Sequence, residues 1–519
     1  MKELELTGSS LTIENVFSVA RDFQEVQLSS SAKKKMLASR KWIEDAVKQN
    51  KNVYGVTTGF GAFQNVHLQQ HQVEELQRNL VLSHCAGVGE PFPDDVVRAM
   101  MLLRANALAA GYSGVRVEVV ETLLAMLNKQ VHPVVPSKGS VGSSGDLAPL
   151  SHIAAVLIGE GWAAVGEDGE IVTGKEALEQ AKIKPLTLQA KEGLALLNGT
   201  QAMLAVGTLA LGDAENLFKM ANVSASLSLE ALKGKIAPFQ NNVQQLRPYI
   251  GQQLVANVIR EFTNGSSLID CIDDDTKDKI QDSYSLRCIP QVHGATFDAL
   301  SYVHSIIEIE LNSVTDNPHI FVEENEAVSA GNFHGQPIAL AMDFLKLAIA
   351  ELGNISERRI AKLLDKNHNN GLPAFLCVDG GVQSGLMIAQ YTAASLVSEN
   401  KVLIHPASGD SIPTSANQED HNSMGTIAAR HCAEVVSNVE YIIAIEILCA
   451  LQAIDFRLKQ NPKLKLGEGT KNFHAMVRDG LGIPFVDTDR DISFDIETLK
   501  EMVHTIEREF LSIIDDENK

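Results

Sequence analysis

The sequence predicts a mainly α-helical protein, in which a long central helical bundle carries small β-hairpins at its periphery. Two long segments of the second half carry apolar residues at helical spacing, and two short segments place strand-forming residues around turn residues. The chain has 519 residues, of which 45% are apolar and 21% are charged. This length and composition are those of a globular protein with several layers of core.

Two segments predict β-hairpins. Residues 162–174, "WAAVGEDGEIVTG", place two β-branched runs around Asp168-Gly169, a pair that tolerates positive φ. Residues 319–331, "HIFVEENEAVSAG", show a similar pattern. We therefore expect small two-stranded elements beside the helices.

The long helices are predicted after about residue 200. Residues 337–364 and 426–456 keep apolar side chains on one helical face over many turns, which favours a bundle with a large core. Prolines and glycines between 462 and 484 interrupt this pattern. The sequence therefore predicts an N-terminal mixed region at 1–200, a central long-helix bundle at 201–480 and a C-terminal helical cap at 481–519.

Charge and cysteine placement exclude several classes of function. With 44 Lys plus Arg against 65 Asp plus Glu, the formal charge is −21, which argues against nucleic-acid or anionic-lipid partners. The N-terminus "MKELELTGSS" has no secretory pattern, and no apolar stretch is an uninterrupted bilayer span. Six scattered cysteines and fifteen histidines form no CxxC pair and no HExxH motif. We expect a cytoplasmic protein with reduced thiols and without a metal.

Residues 140–154, "SVGSSGDLAPLSHIA", place small residues and one acid directly before a predicted helix. The ordinary interpretation is a helix cap, in which Ser and Asp oxygens accept helix N–H bonds. The alternative is that the loop makes its own reagent, because the Gly145 nitrogen can attack the Ser143 carbonyl carbon and close a five-membered ring. Loss of two waters, one of them containing the Ser144 hydroxyl, leaves a methylidene group conjugated to an imidazolone. Glycine suits the attacking position because a Cβ would obstruct the approach.

Further segments decide between these interpretations. The 140–154 segment resembles the signature of the histidine and phenylalanine/tyrosine ammonia-lyases, which build a methylidene-imidazolone from an Ala-Ser-Gly triad. Other motifs of that family match in the same order, and they are "VYGVTTGFGAF" (53–63), "LALLNGTQ" (194–201), "QDSYSLRCIPQVHGA" (281–295), "TDNP" (315–318), "GNFHGQP" (331–337) and "SANQEDHNSM" (415–424). The chain is identified as a member of this family from about residue 50 to about residue 430.

The resemblance implies the catalytic group and the architecture. It implies 4-methylidene-imidazol-5-one formed from Ser143, Ser144 and Gly145, and no need for a metal, pyridoxal phosphate or a nucleotide. It implies Tyr54, in a glycine-rich loop, as the base for the β-proton, with Tyr284 as its assistant or substitute. It also implies a fumarase/aspartase-like helical architecture and a homotetramer with shared active sites.

The expected substrate is a small amino acid, and two positions favour L-histidine, which would yield urocanate and ammonia. His84 and Glu419 stand where phenylalanine-specific members usually differ, and a carboxylate can accept a hydrogen bond from an imidazole N–H. Tyrosine ammonia-lyases also use a histidine at the position of His84, so Glu419 is the better discriminator. Phenylalanine or tyrosine as substrate, or an aminomutase reaction, stays open.

The remaining substrate contacts also follow from the resemblance. Arg287 is the expected clamp for the substrate carboxylate, because its planar fork binds such groups through two hydrogen bonds. Asn198 and Gln281 offer amides that orient the amine or carboxylate, or that stabilise charge on the imidazolone oxygen. Phe333 is expected to line the pocket.

Two residues depart from the family pattern. Ser143 replaces the usual alanine of the triad, which leaves cyclisation possible but adds a hydroxyl beside the electrophile. His293 stands where an apolar residue is more common. A non-catalytic binding protein of the same fold is the alternative from another class, and an unreacted tripeptide would favour it.

Overall fold

A computed structural model describes residues 2–49, 51, 53, 55–56, 73–167 and 169–505, and it confirms the mainly α-helical class. In chain order the α-helices are α1 (Ile13–Ala20), α2 (Ser30–Lys48), α3 (Val73–His84), α4 (Asp94–Ala109), α5 (Val117–Asn128), α6 (Leu147–Leu157), α7 (Gly174–Gln180), α8 (Glu192–Leu197), α9 (Gln201–Ala231), α10 (Asn241–Gln245), α11 (Ile250–Phe262), α12 (Tyr284–Arg287), α13 (Ile289–Leu311), α14 (Gln336–Leu364), α15 (Met387–Leu403), α16 (Gly425–Gln460), α17 (Glu468–Ala475) and α18 (Ser493–Thr505).

The strands are short and pair into small sheets. In chain order they are β1 (Leu4–Leu6), β2 (Val26–Leu28), β3 (Val88–Pro91), β4 (Val131–Pro133), β5 (Pro136–Lys138), β6 (Trp162–Val165), β7 (Val172–Thr173), β8 (His319–Phe321) and β9 (Glu326–Val328). Strand β1 pairs with β2 in parallel, whereas β3–β5, β4–β6, β6–β7 and β8–β9 are antiparallel.

The predicted helices and hairpins are confirmed. The two long apolar patterns form α14 and α16, and the two turn-centred segments form the β6–β7 and β8–β9 pairs. Asp168, at the predicted turn of the first hairpin, lies outside the described residues. The β1–β2 and β3–β5 pairs join segments too distant for periodicity to have predicted them.

The chain forms two compact units, each assembled from separate segments. The first unit comprises Met1–Ala210, Val303–Asp343 and Pro406–Arg430, and the second comprises Leu211–Tyr302, Phe344–His405 and His431–Lys519. The three regions predicted from the sequence, 1–200, 201–480 and 481–519, are each continuous in the chain, unlike these units. The predicted division stays a prediction. All the strands named above fall in the first unit.

The core of the first unit is organised around α4, which is buried from Val96 to Ala109. Arg98 on this helix is buried and donates hydrogen bonds to the carbonyls of Val19, Ala20 and Leu127, near the C-terminal ends of α1 and α5. A cation suits these positions because helix C-termini carry partial negative charge and unpaired carbonyls.

The second unit has a buried ionic cluster among its helices. We call it the Glu446 cluster, and its members are Ser224, Ser228, Ser356, Arg359 and Glu446, all buried. Because a buried charge needs compensating hydrogen bonds, the cluster ties segments of α9, α14 and α16 into one arrangement.

Within the described part of the chain, none of the helices is both long and apolar enough to cross a bilayer.

Candidate active site

The loop 140–146 lies in the first unit, directly before α6. Ser143 and Gly145 are buried and Ser144 is half-buried. Gly145 has φ of +77°, and a Cβ built on it would lie 2.2 Å from the Gly199 carbonyl oxygen. The Asp146 amide donates to the same Gly199 oxygen at 2.7 Å. The position therefore requires glycine both for its backbone angle and for the close approach of a second backbone.

The Asp146 side chain holds this loop through hydrogen bonds to other segments and does not cap helix α6. Its side chain makes no cap bond to α6, so the cap interpretation is wrong for this carboxylate. Oδ1 accepts hydrogen bonds from Ser140 Oγ at 2.7 Å and from Thr426 Oγ1, and Oδ2 accepts from the Met203 amide at 2.8 Å. We call Ser140, Asp146, Met203 and Thr426 the Asp146 cluster. Burial raises the pKa of Asp146, and these hydrogen bonds oppose that effect only in part.

Asn198 contacts the reactive residue of the predicted triad. Its Nδ2 lies 2.9 Å from Ser144 Oγ and also donates to the Ser144 carbonyl oxygen. Asn198 is buried and follows α8, which places its amide under the loop. The structure thus brings together two residues that the sequence predicted from motifs 54 positions apart.

A buried cationic group supports Asn198. Arg104 Nη1 donates to the Asn198 carbonyl at 2.9 Å and to Gln201 Oε1 at 2.8 Å. Burial lowers the pKa of Arg104 to about 10, and nearby Asp316 opposes this shift. Asp316 also accepts a 2.7 Å hydrogen bond from buried Lys191. Arg104, Lys191 and Asp316 therefore form a buried charged group next to the backbone of Asn198.

The motif at 415–424 hydrogen-bonds to the same loop. Ser423 Oγ donates to the Gly142 carbonyl at 3.1 Å, and the Met424 amide donates to the Val141 carbonyl at 2.9 Å. Glu419 in this motif is half-buried, and its Oε2 accepts a hydrogen bond from Thr414 at 3.1 Å. Glu419 therefore belongs to the irregular segment whose later residues, Ser423 and Met424, hydrogen-bond to the loop backbone.

Phe333 is half-buried in the turn before α14. The next residue, His334, stacks on His421 with ring centroids 5.6 Å apart and planes at 8°, and its Nε2 lies 3.2 Å from the His421 carbonyl oxygen. This contact joins the Phe333 segment to the Glu419 segment.

His84 ends α3 and is half-buried. Its Nδ1 lies 2.8 Å from the Leu80 carbonyl oxygen. Since a carbonyl only accepts, Nδ1 carries the hydrogen and Nε2 is the ring nitrogen left for a ligand. Three residues on, the Gly87 amide donates to His152 Nε2 on α6 at 3.3 Å, which ties the His84 segment to the helix that follows the loop.

Three predicted site residues belong to the second unit. Tyr284 and Arg287 begin and end the one-turn helix α12, and the Arg287 guanidinium lies 4.5 Å from the Tyr284 ring centroid. Tyr284 is 71% exposed, and Arg287 Nε is buried without a hydrogen-bond partner among the described residues. Gln281 is exposed just before α12.

Tyr54 lies outside the described residues, as does most of its glycine-rich segment. Over the ranges that the structure describes, the side chains of His, Cys, Asp and Glu form no group of three suited to a metal ion.

Asp146, Arg104 and Thr426 are the site residues that sequence reasoning missed. Asp146 was visible as an acid next to the triad, and its burial was the missing information. Arg104 and Thr426 carried no signal, because they lie in ordinary helical patterns far from the loop.

Comparisons with known proteins identify the family of the chain. A family model described as aromatic amino acid lyase matches residues 11–479. The histidine ammonia-lyase of Caldanaerobacter subterraneus subsp. tengcongensis is 52% identical over 508 residues, which cover 97% of each chain.

Two solved structures share the fold. The histidine ammonia-lyase of Trypanosoma cruzi has a TM-score of 0.90 and 40% identity, covering 99% of this chain and 95% of the other. The tyrosine aminomutase of Streptomyces globisporus has a TM-score of 0.91 and 38% identity, covering 99% of both. The chain therefore belongs to the aromatic amino acid lyase family.

Proposed function

We propose that the chain eliminates ammonia from L-histidine to give urocanate, which makes it a carbon–nitrogen lyase. The observation that carries this proposal is the 52% identity to a histidine ammonia-lyase across 97% of both chains. Fold similarity alone does not choose the reaction, because a tyrosine aminomutase matches with a TM-score of 0.91.

We propose that Ser143, Ser144 and Gly145 form 4-methylidene-imidazol-5-one. The residues fit this group, because Gly145 packs where a Cβ would meet Gly199 and Asn198 donates to both oxygens of Ser144. Asn198 and Asp146 would hold the loop during ring closure. When formed, the group supplies a conjugated electrophile for the substrate amine, which makes nitrogen a better leaving group.

The Ser143 side chain is not consumed by ring closure. Only its carbonyl carbon enters the ring, so serine in place of the family's usual alanine is compatible with the proposed chemistry. Ser143 is 7% exposed, so its hydroxyl adds a polar group within the protein beside the ring.

Arg287 is proposed to bind the substrate carboxylate. Its guanidinium already lies against the Tyr284 ring, which leaves the planar fork oriented by a cation–π contact. Gln281 would hydrogen-bond the same end of the substrate. Tyr54 is proposed as the base that removes the β-proton, with Tyr284 in the assisting role.

Histidine recognition is proposed to depend on His84, Glu419 and Phe333. His84 presents Nε2, and Glu419 has one carboxylate oxygen engaged by Thr414 and the other available to accept an imidazole N–H. Phe333 would line the imidazole pocket from the turn that contacts the Glu419 segment.

We propose a homotetramer with shared active sites, located in the cytoplasm. The second unit exposes large apolar side chains on helices α13, α14 and α15, which a monomer would leave in water. They are Tyr302, Phe344, Leu347, Ile388, Tyr391 and Val402. Burial of such faces between copies is the usual solution in symmetric oligomers.

The experiment is to follow ultraviolet absorbance of the purified protein with L-histidine, L-phenylalanine and L-tyrosine in separate cuvettes. We expect a urocanate band with histidine alone. A cinnamate or coumarate band instead would contradict the substrate, and conversion of an α-amino acid to its β-isomer would identify an aminomutase.

The Glu419→Ala variant tests the specificity determinant. We expect about a hundredfold lower kcat/KM for histidine, because the imidazole N–H of the bound substrate would be left without its carboxylate acceptor. Asp420→Ala is the matched control, since Asp420 is the exposed neighbouring acid, and it should keep wild-type turnover.

A further inference from the structure

Helix α12 is too short to hold its own position. It has four residues, its N-cap residue Ser283 makes no side-chain cap bond, and it carries the two side chains Tyr284 and Arg287. A single helical turn is unstable in isolation, so its placement depends on tertiary contacts. The contacts to its backbone therefore decide where Arg287 lies.

One such contact comes from Arg359 on α14. Arg359 Nη1 lies 3.5 Å from the Ser285 carbonyl oxygen in the middle of α12. Both groups belong to the second unit, and Arg359 is completely buried.

Glu446 fixes the orientation of this arginine. Arg359 Nε lies 2.5 Å from Glu446 Oε1, and Nη2 lies 2.8 Å from Oε2. The same two oxygens accept hydroxyl hydrogen bonds from Ser224, Ser228 and Ser356. The carboxylate therefore occupies one edge of the guanidinium and leaves Nη1 pointing away from it.

His293 shares the remaining nitrogen. Its Nε2 lies 3.4 Å from Arg359 Nη1, and its Nδ1 lies 2.9 Å from Asn222 Oδ1. An arginine only donates, so Nε2 accepts and Nδ1 carries the hydrogen that Asn222 receives. Burial, and then the charge of Arg359, lower the pKa of His293 well below its ordinary value, which keeps the ring neutral.

We propose that Arg359, oriented by Glu446 and His293, is a positioning residue that holds α12 through the Ser285 carbonyl and so sets the affinity for the substrate carboxylate. This inference rests on the proposed function, in which Arg287 binds that carboxylate. It also gives a role to His293, the residue whose polarity departs from the family pattern.

The test uses Arg359→Lys and measures how urocanate and histamine inhibit histidine turnover. Lysine keeps the charge beside Glu446, but its single nitrogen cannot hold Glu446 and reach Ser285 together. Urocanate retains the carboxylate, whereas histamine retains the imidazole and amine without it. We expect the inhibition constant of urocanate to rise about tenfold and that of histamine to stay within about twofold.

Arg457→Lys is the matched control. Arg457 is also a buried arginine of the second unit, and its hydrogen bonds among the described residues go to the carbonyls of Ala231 and Asn369 and not to α12. We expect this variant to lose stability without changing the ratio of the two inhibition constants. An equal shift for both inhibitors in Arg359→Lys, or no shift, would overturn the proposal.

A second pair of variants decides the question if Arg359→Lys does not fold. His293→Leu removes the acceptor while leaving the ion pair intact, and His293→Gln restores an acceptor. We expect the urocanate constant to rise in the leucine variant and to return toward wild type in the glutamine variant. If the two variants behave alike, the proposal fails. Absence of histidine turnover by the wild-type protein would instead reject the proposed function.

Discussion

Asp146 in the first unit and Glu446 in the second are both completely buried carboxylates, yet they have different partners. Asp146 accepts hydrogen bonds from two hydroxyls and a backbone amide. Glu446 accepts from three hydroxyls and from both nitrogens of one edge of Arg359. One cluster is formed by neutral donors and the other by a matched charge.

The two clusters supply different properties to their units. The Asp146 cluster holds the 140–146 loop in place through neutral donors alone. A buried ion pair provides geometry, and its disruption leaves an uncompensated charge. We therefore expect substitutions near Asp146 to affect mainly the catalytic activity. Substitutions near Glu446 should affect mainly the free energy of unfolding.

The largest effect is expected at the loop itself. Ser144→Ala removes the hydroxyl that leaves as water, so the electrophile cannot form and histidine turnover should fall by about a thousandfold or more. The thermal unfolding midpoint of this variant should equal that of the wild type, because Ser144 is only half-buried. Ser143→Ala is the control and should retain activity. Turnover in Ser144→Ala equal to that of the wild type would contradict the role of this hydroxyl in forming the electrophile.

The second unit should respond in stability. Glu446→Gln leaves buried Arg359 without its counter-charge, which should lower the free energy of unfolding by about 3–5 kcal/mol. Denaturant unfolding measures this difference. Glu434→Gln, at an exposed position of α16, should change stability by less than about 0.5 kcal/mol. Equal effects of the two substitutions would contradict the assigned role of the ion pair.

Gly145→Ala separates backbone angle from close packing. Gly145 and Gly166 have similar positive φ values, +77° and +81°, but only Gly145 faces another backbone, and a Cβ on Gly166 would meet nothing within 4 Å. Gly166→Ala should cost about 1 kcal/mol for the angle alone. Gly145→Ala should cost about 2–3 kcal/mol and also abolish ring formation. Similar unfolding midpoints for the two variants would mean that the approach to Gly199 is not required.

The smallest effect is a pH dependence from Asp146. Its native pKa is raised, so the native state binds this proton more tightly than the unfolded chain does. The stabilisation is complete below the unfolded pKa of about 4 and is lost as pH rises through the native pKa. The stability cost of Asp146→Asn should therefore be greatest near pH 4 and shrink at higher pH. A cost that is constant across pH, measured by denaturant unfolding, would contradict this.

The sequence predicted the long helices and the loop but not the contacts that hold them. Helices α14 and α16 followed from periodicity, which is a local property of the chain. The partners of Asp146 lie 57 positions away at Met203 and 280 positions away at Thr426. Such pairings depend on tertiary packing, which a single sequence does not display.

His293 shows the same limit. Its departure from the family pattern was visible in the sequence, but its partner Arg359 lies 66 residues further along the chain, inside a helix whose periodicity gives no sign of this contact. The roles of Tyr284, Arg287 and Glu419 came from resemblance and stay predictions. The residue types were recognisable, whereas their hydrogen-bond partners required the fold.

The most direct test of the central claim is the mass of the proteolytic peptide that contains Ser143-Ser144-Gly145, taken from purified wild-type protein. We expect a peptide lighter than its sequence by two water molecules, with the loss absent in Ser144→Ala. A wild-type peptide at its unmodified mass would contradict the claim that this loop forms the catalytic electrophile.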